Sequence, residues 1–359
     1  MHSSHPLLIP VDYSDDVKKG LTAPFITFLG KLRSTRPATI AVCQLLSATS
    51  INEAETLSNV DAVFIEYSHH PIENFDLLTP VFSKPHVYLH GHYNIINNPK
   101  RLELYFPWYF AQACTEGDKN NYSRSAPEYR KERKSYAFSC LNRNPKTERC
   151  WFYTKLQRCS FYSQTITSFY SSYTWEEPIS LNDLEQYSDK QTRDIFERNV
   201  MPFLPICTDE DAEQLKINPG HFTGSISHPA FSDSCVNIIS EHSYEIQFLS
   251  EKTVKPIAAG QLFLMAGPVG AIKHLEDLGF DVFRDFIDHD YYDNEPNTKL
   301  RLLKMLEVAE QLYADNPQDI FSTTYYRREQ NKNHLFSEDL QNRIYRPIRQ
   351  WIQNELNTQ

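Results

Sequence analysis

Glu251 and Lys252 stand side by side after a polar loop, ten positions beyond another carboxylate, Glu241. An apolar run at 235–239 precedes Glu241, and after Lys252 the residues Val254, Ile257 and Ala258 fall at helical spacing. A second apolar run, 262–265, ends near Gly267, so the stretch reads as strand, loop, helix, strand. In an open α/β sheet the loop of such a unit lies at the carboxyl ends of the strands, where ligands bind. A lysine in the first helical turn adds a full charge to free backbone N–H groups and the positive end of the helix dipole. That setting suits a diphosphate. An ionised Glu251 only accepts hydrogen bonds and matches a ribose diol. The pair therefore predicts a sugar-nucleotide site; the plainer reading is a solvated ion pair at a helix start.

Other segments offer partners for this pair. The β-prone run 136–141, the turn Asn142-Arg143-Asn144-Pro145 and a helix capped by Thr147 place Arg149 on the same rim as Lys252. A planar guanidinium matches phosphate oxygens, and Arg143 competes for the role. Three earlier β-rich runs, 39–43, 61–66 and 86–90, have spacings of βαβ units, with Ser50-Ile51-Asn52-Glu53 as a capping box between the first two. The third run ends in His90-Gly91-His92. Either histidine titrates near neutrality and suits a general base for a hydroxyl proton, with Glu66 and Glu73 as rivals. The turn-rich loop 218–224 is placed to border the site, which makes its His221 and the later His228 site candidates, with a solvent-facing loop histidine as the plainer reading. Asp288-x-Asp290 has the paired carboxylates that hard cations prefer, but it lies downstream of the expected site and no metal is expected.

With Glu241, Phe248, Ser250-Glu251-Lys252, Ala259-Gly260 and a strand ending at Gly267, the chain resembles the α1,3-fucosyltransferase-type glycosyltransferases of GT-B architecture. Their donor-domain signature runs E-N, a polar loop, aromatic-x-[ST]-E-K, then A-G and a strand ending in G. Phe248 takes the aromatic position and Ser250 the [ST] position. The strand ending at Asn142, with Arg149 on the next helix, resembles the companion element of that family. Residues 278–294 are similar to bacterial and viral relatives with exostosin-like C-terminal halves. The resemblance covers roughly residues 135–310.

It implies two Rossmann-like domains facing across a cleft, with C-terminal helices. It also implies a donor site containing Asn142, Arg149, Phe248, Ser250, Glu251 and Lys252, the phosphates on Arg149 and Lys252. The activity implied is transfer of a sugar from a nucleotide-diphosphate donor, GDP-fucose as the first guess, to a hydroxyl of a glycan or other acceptor. Neither a metal nor another cofactor is implied. The catalytic nominees are Glu241 with His90, His92 and Glu66; the family's base is a carboxylate in this first half, and no motif fixes its position. Glu241 has two readings, a contact to the donor sugar or a buried carboxylate that orients the loop. His242 stands where the family has Asn, and Phe248 lacks the hydroxyl of the usual Tyr, so the donor is open. The second reading is a GT-B-like protein that binds a nucleotide or glycan without turnover.

The 359 residues make two domains the default, and 40% hydrophobic with 23% charged residues is globular material. Against 21 Tyr and 22 Phe there are only 10 Gly, and neither G-x-G-x-x-G nor G-x-x-x-x-G-K-[ST] occurs, so any nucleotide must be held by side chains and helix ends. A net charge of −10 argues against a general nucleic-acid binder. The seven cysteines show no C-x-x-C and read as reduced core residues of a cytoplasmic protein. The amino terminus lacks a signal-peptide pattern, and no segment approaches the roughly 18 apolar residues of a membrane span, which leaves peripheral membrane contact open.

Residues 115–134 are polar and charged, the sharpest composition shift in the chain. The expected organisation is an N-terminal acceptor domain over 1–118, a linker over 119–134 and a donor domain over 135–330. A final helix within 331–359 then packs back on the first domain, by analogy with the architecture. Helices are expected at 268–278, 298–314, 317–328 and 338–356, the last with Leu340, Ile344, Ile348 and Ile352 on one face.

Overall fold

The computed structural model describes residues 7–11, 39–44, 62–67, 86–90, 103–114, 122 and 133–357, apart from 143–144, 171–178, 205 and 207–225. The capping box at 50–53 lies outside them. The chain forms two compact units, 1–116 together with 337–359, and 117–336.

In the first unit β1 (Leu7–Val11), β2 (Thr39–Gln44), β3 (Ala62–Tyr67), β4 (His86–His90) and β5 (Glu103–Tyr105) make one parallel sheet in sequence order. Apolar stretches such as 40–43, 62–65 and 87–89 suit strands of a parallel sheet. Helix α1 (Trp108–Ala113) follows β5.

The second unit runs β6 (Tyr136–Leu141), α2 (Thr147–Leu156), β7 (Thr165–Ser168), α3 (Leu181–Tyr187), α4 (Lys190–Asn199), α5 (Pro229–Ser232), β8 (Ser234–Ser240), α6 (Glu251–Ala259) and β9 (Leu262–Ala266). It continues with α7 (Ala271–Asp277), α8 (Asp290–Asp293), α9 (Thr298–Ala314), α10 (Pro317–Thr323) and α11 (Tyr325–Leu335). Helix α12 (Glu338–Asn357) belongs to the first unit, where its Leu340, Ile344, Ile348 and Trp351 are buried and Tyr345 packs 5.5 Å from the ring of Phe106. None of the described helices is long and apolar enough to cross a membrane.

The second sheet is parallel, in the order β7-β6-β8-β9, and every residue of β8 and β9 is buried. From β6 the chain steps outward to β7 on one side; from β8 it steps outward to β9 on the other. Right-handed crossovers then put α2 and α6 on opposite faces and open a crevice at the carboxyl ends of β6 and β8. This is a Rossmann-like α/β arrangement.

Local chemistry fixes α6. The Ser250 hydroxyl caps its start by accepting from the Lys252 N–H, and Gly260, at φ 66°, ends it in a left-handed turn. There Gly260 N–H donates to Ile257 O at 3.0 Å and Gln261 N–H to Pro256 O at 2.9 Å, satisfying carbonyls the helix end leaves open. Other boundaries shift from expectation. Thr147 is the first helical residue of α2 rather than its cap, which is Lys146, with no side-chain cap bond. Helix α7 starts at Ala271 and not at 268, because Gly270 turns the chain at φ 73°. The expected helix over 317–328 breaks at Thr324 into α10 and α11.

Candidate functional site

The first residues beyond β6 and β8 are Asn142 and Glu241, and each extends its ladder by one bond: Asn142 N–H to Ser168 O at 3.0 Å, Glu241 N–H to Ala266 O at 2.9 Å. They therefore stand at the mouth of the crevice. Glu241 is 0% exposed. A buried carboxylate is tolerable only when its oxygens are saturated. Oε1 accepts from Ser250 N–H at 3.1 Å and Thr253 Oγ1 at 2.5 Å; Oε2 accepts from His242 N–H at 2.9 Å and Ser250 Oγ at 2.6 Å. It also lies at the positive end of α6.

Cations grip the loop that Glu241 opens. Arg149, only 2% exposed, donates from Nη2 to the Glu241 carbonyl at 2.5 Å. Lys146 Nζ reaches His242 O at 3.3 Å. From α9, buried Arg301 donates to Gly267 O at 3.0 Å, to Glu295 O at 2.6 Å and to Tyr244 O, tying the β8–α6 loop to the β9–α7 loop. Lys146, Thr253 and Arg301 are not among the residues nominated from sequence. Lys146 had a readable signal, a cation at a helix start; Arg301 had none, since it reads as one more residue of a long amphipathic helix.

On the outer side of this node, Lys252 Nζ lies 3.1 Å from Glu251 Oε1 and 3.5 Å from Ser250 Oγ. The Lys252 and Glu251 side chains are 28% and 21% exposed, so both reach solvent. Desolvation pushes the Glu251 carboxyl up, but Lys252 and Lys255 outweigh it and hold the group at about 2, so it is ionised throughout the neutral range. The expectation of free backbone N–H groups at the start of α6 changes here. Ser250 N–H is spent on Glu241 and Lys252 N–H on Ser250 Oγ, so the anion seated at that helix start is the chain's own carboxylate. The charge on offer to a ligand is that of side chains.

Thus the structure brings Glu241, Ser250, Glu251, Lys252 and Arg149 to one edge, with Asn142 on the neighbouring strand end. Asn142 is buried, its Nδ2 donates to Cys140 Sγ at 3.3 Å, and its Oδ1 has no hydrogen-bond partner among the described residues. Phe248 is buried within the loop. Arg143, His92, Glu73 and His221 lie outside the described residues. Glu66 and His90 are described as backbone only, near the carboxyl ends of the adjacent strands β3 and β4, where Glu66 pairs with Leu89 and Tyr67 with His90. His228 is a cap: it is buried, and its Nδ1 accepts from Ala230 N–H at 3.0 Å. Asp288 accepts from Tyr291 N–H at 3.2 Å, and Asp290 pairs with Arg284 at 2.5 Å. No group of three or more His, Cys, Asp or Glu among the described residues is arranged to hold a metal.

Fold and site together define an α/β protein with two parallel sheets, the second carrying a cluster of buried polar and cationic residues at the carboxyl ends of its strands, where its strand order reverses. None of the protein-family models matches the chain, and none of the curated proteins does. Among solved structures it is similar to one described as the crystal structure of the GtfA/B complex, at 10% sequence identity and a TM-score of 0.43, over 92% of this chain and 60% of that chain. The chain thus spans 60% of the length of the structure it matches.

Proposed function

We propose that the second unit binds a nucleoside diphosphate sugar at the carboxyl edge of its sheet, and that the protein is a glycosyltransferase of GT-B type. The supporting observation is the solvent-reaching Glu251–Lys252 pair, mounted on a buried node that includes Arg149. On binding, Lys252 exchanges Glu251 for the diphosphate, and Glu251 is released to accept from the ribose hydroxyls. Lys252, backed by the positive field of Arg149, offsets charge that grows on the departing diphosphate, an interaction stronger in the transition state than in the ground state. A hydroxyl of a glycan or other acceptor attacks the anomeric carbon, and the nominees for its proton are Glu66, His90 and His92. Cationic side chains take the part a metal plays elsewhere. GDP-fucose heads the donor panel.

Titration calorimetry with nucleoside diphosphates and their sugars tests the reading. One charge-assisted hydrogen bond is worth about 1.5–3 kcal/mol, so Lys252→Ala weakens binding of the preferred nucleotide by roughly 10-fold or more. Equal affinity in parent and variant removes Lys252 from the site. A binding protein without turnover is the second reading, favoured by the Arg149 guanidinium facing a backbone carbonyl. Release of nucleoside diphosphate from the bound sugar nucleotide, stimulated by acceptor glycans, separates the two.

A further inference from the structure

We infer that Glu241 is a positioning residue, a buried latch that sets where Glu251 and Lys252 stand by holding the 242–250 loop shut against the first turn of α6. This rests on the donor-site reading above and selects between the two roles open to Glu241. The carboxylate takes both ends of the loop at once, His242 N–H at one and Ser250 N–H and Oγ at the other, and adds Thr253 from inside the helix. With Glu241 at 0% exposure, no oxygen is turned to solvent. Ser250 links latch to site, because its Oγ is bonded to Glu241 and also lies 3.5 Å from Lys252 Nζ.

The latch needs a carboxyl group and rejects its amide. Each oxygen accepts from one backbone N–H and one hydroxyl. A hydroxyl can rotate to become an acceptor, whereas a backbone N–H cannot. In Glu241→Gln the amide nitrogen therefore faces either His242 N–H or Ser250 N–H, and one donor is orphaned in whichever flip is chosen.

The test pairs hydrogen exchange with titration calorimetry on the full chain, using a nucleoside diphosphate and its sugar as probes. In Glu241→Gln the amides of 242–250 and the first turn of α6 exchange faster. Affinity falls by roughly the same 10-fold for diphosphate and sugar nucleotide, the loss expected of one orphaned buried group. Lys252→Ala made on top of Glu241→Gln costs much less than it does in the parent, a coupling that general destabilisation does not produce. Weakened binding of the sugar nucleotide alone, with exchange unchanged, assigns Glu241 to the sugar and overturns the latch. An undiminished cost of Lys252→Ala in that background overturns it too. If Glu241→Gln does not fold, Thr253→Val, which removes one donor and keeps the shape, decides by the same signs at smaller size. If the parent binds no nucleotide, the donor-site reading fails, and the exchange arm still judges whether Glu241 closes the loop.

Discussion

Arg301 donates to backbone carbonyls of three separate segments, at Tyr244, Gly267 and Glu295, from a buried position on α9. Each carbonyl left without a donor in the interior costs about 1–3 kcal/mol, so Arg301→Ala lowers stability by about 3 kcal/mol or more, read as a fall in the urea midpoint. Arg301→Lys keeps the charge but not the fork, and it recovers only part of the loss. Lys273 and Asp277 on α7 offer the contrast. Both side chains are 60% exposed, and removing either leaves the midpoint where it was. The residues that shape the crevice are therefore the ones whose charge is spent on the chain itself. A midpoint unchanged in Arg301→Ala sinks that claim.

At the scale of elements, the turns around α6 depend on glycine. Gly260 sits at φ 66°, where an L side chain crowds its own backbone, so Gly260→Ala costs roughly 1–2 kcal/mol. A methyl at Gly267 meets Met265 Cγ at 2.8 Å and Glu241 Cγ at 3.6 Å, and Met265 must shift from its buried place in β9. Gly267→Ala costs about 1–3 kcal/mol by overpacking against Met265, while Glu241 at 3.6 Å is in ordinary contact and its loop is left as it was; thermal melts and loop exchange check both. These elements were readable in the sequence because their signals are local. β8 and β9 are mostly apolar runs, and Val254, Ile257 and Ala258 at helical spacing mark α6 between them. What was not readable depends on residues far away in the chain. Arg301 meets Gly267 from 34 positions off. Asp293 claims the N–H groups of Ile272 and Lys273, which helps to anchor the start of α7. The Arg149 guanidinium was legible as a cation on the right rim, but its carbonyl partner was not, because only the folded sheet brings the two strand ends together.

For the molecule as a whole, acid is the weak side, and among the described residues two histidines of the second unit contribute to it first. His289 is buried, and its Nε2 lies 2.8 Å from Val282 O, which can only accept, so Nε2 carries the proton. Nδ1 is then the acceptor for the Tyr292 hydroxyl at 2.6 Å, an arrangement that only the neutral ring satisfies. Burial, as the largest cause, holds His289 down at about 4 from an ordinary 6.5, and burial likewise holds His274 down at about 3. Between 6.5 and those values the unfolded chain binds more protons than the folded one, so stability rises with pH and is lost as pH falls through the window. Glu251, held at about 2 from 4.5, acts in the same direction at lower pH; Asp293, raised by burial, opposes it. The melting temperature should therefore begin to fall below about pH 6.5, before the carboxylates titrate. His289→Gln removes one of the two protonations, so its melting curve is less steep against pH between 6.5 and 4 even if its melting temperature at pH 7.5 is lower. Calorimetric scans of parent and variant across that range check this, and equal slopes would show that His289 is not held neutral by the fold.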